Sequence, residues 1–209
     1  MYDENYRTVF VTVGTTLFDD LVDTVSNVNF LCSIYKLGFR RIVIQFGKGT
    51  VPSFVPNKSV CFLSDNDARI QGIFILPEDA QKSLKWETYR FKPSLEQDMN
   101  DAHLIISHAG AGCIMEGLSK CKEANSCIPQ NETKIWKKLV CVINDKLMHN
   151  HQTELAEALE KRGYLFVLST PRQLLNEEII EKIDSFTPKT FKGGDNLVFS
   201  RLLDAYLGF

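Results

Sequence analysis

Short runs of branched apolar residues alternate along this chain with longer stretches in which apolar side chains recur every three or four positions. Unbroken apolar runs suit strands buried on both faces, whereas the three-to-four spacing marks helices with one buried stripe. Val9 to Val13, Ile42 to Gln45, Leu104 to Ile106, Leu139 to Ile143 and Leu165 to Leu168 are therefore predicted strands, and the aromatic and polar alternation of Trp86 to Phe91 suits another. Between them the pattern predicts a helix from Asp19 and Asp20 to about Lys36, stopped by Gly38; a helix opened by Pro93-Ser94 and running through Met99; and one starting near Cys113. His103, beside the entry to the Leu104 strand, reads as a surface or packing residue. Further on, Leu155, Ala156 and Leu159 line one face of a helix ending at Arg162, with Gly163 as its stop. Another helix starts at Pro171, with Leu174, Leu175, Ile179 and Ile183 as its stripe, and Leu197, Val198, Leu202 and Tyr206 place a last one at about residues 196–207.

Two stretches break the pattern. From about residue 51 to 85, Pro52, Pro56, Pro77 and the polar run Ser64 to Arg69 separate short apolar pieces, which predicts short strands and a long surface loop. Residues 119–138 are polar, hold Pro129, and read as a second insertion. The rest, strand and helix in turn, predicts an α/β fold of one domain over residues 1–209. Its form is an open, doubly wound, mostly parallel sheet of Rossmann-like type, with ligands bound outside the carboxyl ends of the strands.

Composition acts mainly by exclusion. A 209-residue chain that is 44% hydrophobic can bury a core of that size. A formal charge of −2 offers no basic surface for nucleic acid. The six scattered cysteines form no CxxC pair and read as reduced thiols of a cytosolic compartment. Cys113, Cys121 and Cys127 with His108 lack zinc spacing, so no metal is expected. No apolar run reaches the ~20 residues of a membrane span, and the N-terminus is too polar for a signal peptide.

The densest candidate chemistry lies in Leu104 to Gly117, LIISHAGAGCIMEG. A strand ending at Ser107, the small turn His108-Ala109-Gly110-Ala111-Gly112 and a helix start bring unpaired N–H groups and the positive end of a helix dipole to one point, which suits phosphate. Glu116, one turn into the helix, can accept from two neighbouring hydroxyls of a ribose. The same residues taken alone also suit a strand-to-helix turn that binds nothing, with Glu116 present for the dipole. Gly14-Thr15-Thr16 closes the first strand similarly, and its threonines either donate to phosphate or cap the next helix. Asn150-His151-Gln152 stands at another helix start, where amide and imidazole groups suit sugar hydroxyls; Asn150 as a cap, with the other two in water, is the plainer reading of those residues alone. All three turns follow strands and are expected on one rim.

Together, VFVTVGTT, IVIQFGKGT, YRFKPSL, LIISHAGAG with Glu116, and VINDKLMHNHQTELAEAL with GYLF closely resemble the soluble catalytic subunits of the eukaryotic UDP-N-acetylglucosamine transferase, within glycosyltransferase family 28. More distantly the chain is similar to the C-terminal half of the bacterial lipid II glycosyltransferase and other GT-B enzymes. The matching blocks cover most of residues 7–168, in order. The resemblance implies a GT-B C-terminal-type half that holds the donor UDP-GlcNAc. A membrane-anchored acceptor-binding partner subunit would bring the dolichol-linked acceptor and keep this chain at the cytosolic face of the endoplasmic reticulum. The implied step adds the second N-acetylglucosamine to dolichol-diphosphate-GlcNAc in N-glycan precursor assembly. Carried over by residue, Gly14, Thr15, His108, Ala109, Gly110 and Gly112 would lie at the diphosphate, Glu116 at the ribose, His151 and Gln152 with Asn150 at the N-acetylglucosamine, and backbone near Phe91 at the uracil. In two places the chain departs from the family: Cys113 stands where serine is usual, and residues 119–138 replace a short turn.

The expected reaction is displacement at the anomeric carbon with inversion, with the leaving UDP held by N–H groups and helix dipole and with no metal or other cofactor. The base would come from the partner or, failing that, from His108, and the isolated chain is expected to be inactive. Two alternatives stay open. An NAD(P)-dependent oxidoreductase fits Gly110, Gly112 and Asp145, but Met115 occupies the third glycine position and the turn is not on the first strand. The other is a non-catalytic nucleotide-binding module.

Overall fold

The computed structural model describes residues 6–54, 69–126, 135–144 and 150–191, with Asn150, His151 and Gln152 described in backbone only. Its strands are β1 Arg7–Thr12, β2 Phe39–Gln45, β3 Ile70–Leu76, β4 Asp79–Tyr89, β5 Leu104–His108, β6 Lys138–Val142 and β7 Phe166–Leu168. They form one sheet in the order β3-β4-β2-β1-β5-β6-β7. Every neighbouring pair is parallel except β3 with β4, so the predicted open, doubly wound, mostly parallel sheet is the observed one.

The helices are α1 Asp19–Val25, α2 Val28–Lys36, α3 Glu96–Asp101, α4 Ala111–Ser126, α5 Asn150–Lys161 and α6 Glu177–Ser185. Side chains alternate across a strand, so the central strands feed two cores. Val9, Val11, Ile42, Ile44 and Ile106 pack beneath α1, α2 and α6, while Phe10, Val43, Ile105, Leu139 and Cys141 pack beneath α3, α4 and α5. Burial from both sides is why these strands read as unbroken apolar runs.

Several boundaries differ from the pattern. The helix predicted across residues 19–36 is two helices. The Ser26 hydroxyl donates to the Val22 carbonyl, and the Asn27 side chain accepts from the Asn29 N–H to cap α2. Polar side chains that bond their own backbone stop a helix that apolar spacing would continue. Neither threonine caps α1: its N-cap is Phe18, without a side-chain bond, and the Thr16 hydroxyl donates to the Val13 carbonyl. Trp86 to Tyr89 is the end of an eleven-residue β4 that returns from β3 through Pro77-Glu78. The short strands expected between residues 51 and 85 thus include β3, paired in an edge hairpin whose other arm was disguised because residues 80–83 of β4 are exposed and carry no apolar rhythm; residues 55–68 lie outside the described residues. The third helix starts at Glu96, with Leu95 as its N-cap. The helix after Gly110 continues to Ser126, so the polar stretch from residue 119 begins as helix. Residues 127–134 and the tail helix expected at 196–207 lie outside the described residues. From Pro171 a short 3-10 turn, Pro171–Leu175, precedes α6, and Asn176 separates them by accepting from the Glu178 N–H. Leu174, Ile180 and Ile183 are buried there, whereas Leu175 is exposed.

Among the described residues no helix is long and apolar enough to cross a membrane, and no group of three or more His, Cys, Asp or Glu could hold a metal ion. Cys32, Cys113, Cys121 and Cys141 are free thiols.

Candidate functional site

After β1 the chain builds one half of the sheet through β2, β4 and β3, and after β5 the other half through β6 and β7. Loops leaving β1 and β5 therefore diverge, and a crevice opens between them at the carboxyl edge. Gln45, the last residue of β2, ties its rim together. Its amide donates to the carbonyls of Gly14 and Arg90, at 2.8 Å each. Its oxygen accepts from the Thr12 hydroxyl at 2.7 Å, which in turn accepts from the Gly14 N–H at 3.1 Å. Arg90 donates to the Gly47 and Gly49 carbonyls, Asp19 accepts from the N–H and hydroxyl of Thr50, and Asn144, beyond β6, donates to the Leu17 carbonyl at 3.2 Å. Loops from four strands thus meet at one edge.

A cleft of about 500 Å³ lies there, lined by Gly14, Thr15, Gln45, Phe91, Lys92, Pro93, Ser94, Leu95, His108, Gly110, Ala111, Gly112, Cys113 and Glu116. The His108 ring, 5% exposed, forms part of its floor. Gly14 and Gly110 crowd that ring: a Cβ on Gly14 would stand 2.6 Å from Cε1, and one on Gly110 would stand 2.3 Å from Nε2. Burial lowers the His108 pKa below the ordinary histidine range, only partly offset by the Thr12 backbone, so the ring is neutral at physiological pH. Its Nδ1 makes no hydrogen bond among the described residues.

The first turn of α4 closes with the Ile114 N–H on the Gly110 carbonyl at 3.0 Å. The N–H groups of Ala111, Gly112 and Cys113 precede that bond and have no partner inside the helix, which leaves a positive helix end at the cleft. A Cβ at Gly112 would meet nothing within 4 Å, so the missing side chain there leaves open space for close approach. Burial and the Glu116 carboxylate push the Cys113 thiol pKa up, with Ser107 offsetting in part; the thiol is neutral. Among the described lining residues Lys92 is the sole cation besides that helix end, and Glu116 the sole carboxylate.

The predicted residues Gly14, Thr15, Phe91, His108, Gly110, Gly112 and Glu116 are thus brought to one cleft. Ala109 is not: its side chain is 1% exposed within the core beneath α4, because the residue after His108 must point to the opposite side of the turn, so only its main chain is available to the rim. Asn150, His151 and Gln152 start α5, and their side chains lie outside the described residues. Sequence reasoning missed Gln45, Lys92 and Ser94. Gln45 carried a faint signal, a polar residue ending the apolar strand IVIQ; nothing in local spacing marked the other two.

A doubly wound sheet with a helix N-terminus, a glycine turn and one carboxylate at its topological switch point is the architecture of a nucleotide-binding domain. Residues 8–192 match the model of the glycosyltransferase family 28 C-terminal domain, and the chain belongs to that family. It is 40% identical over 173 residues to the Homo sapiens UDP-N-acetylglucosamine transferase subunit ALG13, covering 80% of this chain but 12% of that protein. The chain likewise spans 11% of the mouse relative of the same name. The Cryptococcus neoformans subunit of that name is 31% identical over 219 residues, with 97% of each chain covered. Among solved structures, the NMR solution structure of ALG13 matches with a TM-score of 0.57 at 24% identity, covering 95% of both chains. The crystal structure of Acinetobacter baumannii MurG matches with a TM-score of 0.50 at 17% identity, covering 100% of this chain and 53% of that one. These two likenesses show a shared fold.

Proposed function

We propose that this chain is the donor-binding, catalytic subunit of a UDP-N-acetylglucosamine transferase that acts with a membrane-anchored acceptor-binding subunit at the cytosolic face of the endoplasmic reticulum. The observation that carries the reading is the single cleft in which the α4 N-terminus, the Gly14 turn and the Glu116 carboxylate meet, in a chain whose relatives bear that enzyme's name. The diphosphate lies at the N–H groups of Ala111, Gly112 and Cys113, which have no partner inside the helix, Glu116 accepts from the ribose hydroxyls, and main chain near Phe91 meets the uracil. Asn150, His151 and Gln152, at the start of α5 on the same edge, take the N-acetylglucosamine.

The reaction adds the second N-acetylglucosamine to dolichol-diphosphate-GlcNAc. The acceptor hydroxyl attacks the anomeric carbon with inversion while the bond to UDP breaks. Negative charge growing on the leaving diphosphate is stabilised by preorganised N–H donors and the helix dipole, which requires no metal. His108, neutral and wedged between two glycines, suits a hydrogen-bonding surface better than a mobile base, and the base is assigned to the partner. The turn that binds phosphate follows β5 and not β1, and the family is one of glycosyltransferases, so the oxidoreductase alternative is dropped.

Calorimetry with UDP, with NAD as control, tests the site. Glu116→Ala removes two charge-assisted hydrogen bonds of about 1.5–3 kcal/mol each, so UDP affinity should fall at least about a hundredfold with the melting temperature unchanged. Equal affinity for UDP in both proteins refutes the ribose assignment. Activity on a dolichol-diphosphate-GlcNAc analogue should appear only with the partner present, persist in chelator, and yield a β-linked product. Turnover by the chain alone would overturn the two-subunit reading.

A further inference from the structure

We infer that Lys92 and Asp98 form a clasp that positions the Phe91–Leu95 wall of the cleft for the base and ribose end of the donor; this rests on the donor-site reading above. A lysine that is the only cationic side chain among the described residues lining a nucleotide cleft would ordinarily be assigned to the phosphates. Here its ammonium is already engaged: Lys92 Nζ lies 2.5 Å from Asp98 Oδ2, with Asp98's side chain 3% exposed and Lys92's 16%. The buried Tyr89 hydroxyl donates to the same carboxylate oxygen, the Arg69 guanidinium stands 3.8 Å from the other, and the Lys92 ammonium rests 5.2 Å from the centroid of the Tyr89 ring. Drawing Lys92 out toward a phosphate would leave a carboxylate buried without its closest cation, which a folded interior strongly resists.

The clasp closes a specific loop. Tyr89 ends β4, Asp98 lies in the first turns of α3, and Lys92 stands between them, so the bonds fold the chain from residue 89 to 98 onto itself and stiffen the part that lines the cleft. That wall is also tied to α4, because Lys120 pairs with Glu96 at 2.8 Å. Glu116 lies one turn before Lys120 on the same helix. The wall is thereby set beside the ribose-reading carboxylate, where a base must lie. Lys92 and Asp98 are positioning residues, acting on the donor through the main chain of residues 91–95.

The test compares uridine, UMP and UDP binding to the full chain and to Lys92→Met, Asp98→Asn and the double variant, with each protein's melting temperature recorded. A clasp that acts at the base end weakens all three ligands by the same factor, about tenfold, in each variant. The double variant removes the buried charge together with its partner, so its stability recovers while its affinity loss persists. A loss in Lys92→Met that grows with each added phosphate makes Lys92 a phosphate ligand and overturns the inference, as does affinity unchanged by all three variants or restored in the double variant. No UDP binding by the unsubstituted chain overturns the donor-site reading, and this inference with it.

Discussion

Adding one methyl group at Gly110 tests how His108 is held. The new Cβ would lie 2.3 Å from Nε2 and 3.0 Å from Cδ2 and Cε1 of a ring that is 5% exposed. Gly110 does not have a positive φ, so alanine adds no backbone strain and the collision is the main new term. Forcing a packed side chain aside costs about 1–3 kcal/mol, which for a chain of this size lowers the melting temperature by about 2–4 °C per kcal/mol. Truncating the obstacle with His108→Ala should abolish that cost. A four-protein cycle in urea therefore has an expected coupling of about 2 kcal/mol: Gly110→Ala is damaging in the parent and nearly neutral beside His108→Ala. Gly14→Ala supplies an internal control, since it meets the same ring at 2.6 Å but also sits at φ 60°. Its left-handed strain of about 1–2 kcal/mol should survive His108 truncation. Equal costs for Gly110→Ala in the two backgrounds would refute the reasoning, because the ring would then not be what excludes the methyl group.

Two further outcomes follow from buried ionisable groups. Burial lowers the pKa of both His103 and His108, with the Arg7 and Lys137 charges adding to the effect at His103. The unfolded chain therefore takes up a proton on each nearer the ordinary value of about 6.5, and stability, full above that value, falls as the pH drops below it toward the lower folded values. Urea unfolding should show a decline between about pH 7.5 and about pH 5.5 that is shallower in His103→Gln; an unchanged slope in that variant would exclude His103 as a contributor. Lys137 donates to the Met99 and Asn100 carbonyls at the end of α3, at 2.8 and 2.7 Å. Lys137→Met keeps the stem but forfeits both bonds and should cost about 2–3 kcal/mol in chemical denaturation; a loss below about 0.5 kcal/mol would mean water serves those carbonyls as well.

The sequence alone determined the sheet, because its central strands are buried on both faces and had to be written as unbroken apolar runs such as Val9 to Val13 and Leu139 to Ile143. It also determined most of the cleft's chemistry, because a glycine turn at a helix start and a carboxylate one turn later are local features read from adjacent residues. The start of β4, exposed over residues 80–83, carried no such rhythm, and the breaks at Asn27 and Asn176 depended on polar caps overriding apolar spacing. Tertiary structure decided the rest. The ring of His108 accounts for the glycines at positions 14 and 110, Gln45 binds the loops of separate strands, and Asp98 turns Lys92 away from the role its charge suggests. Each of those is a contact between residues distant in the chain or folded back across a loop, and residue spacing holds no information about which side chains will meet once the sheet has closed its two cores.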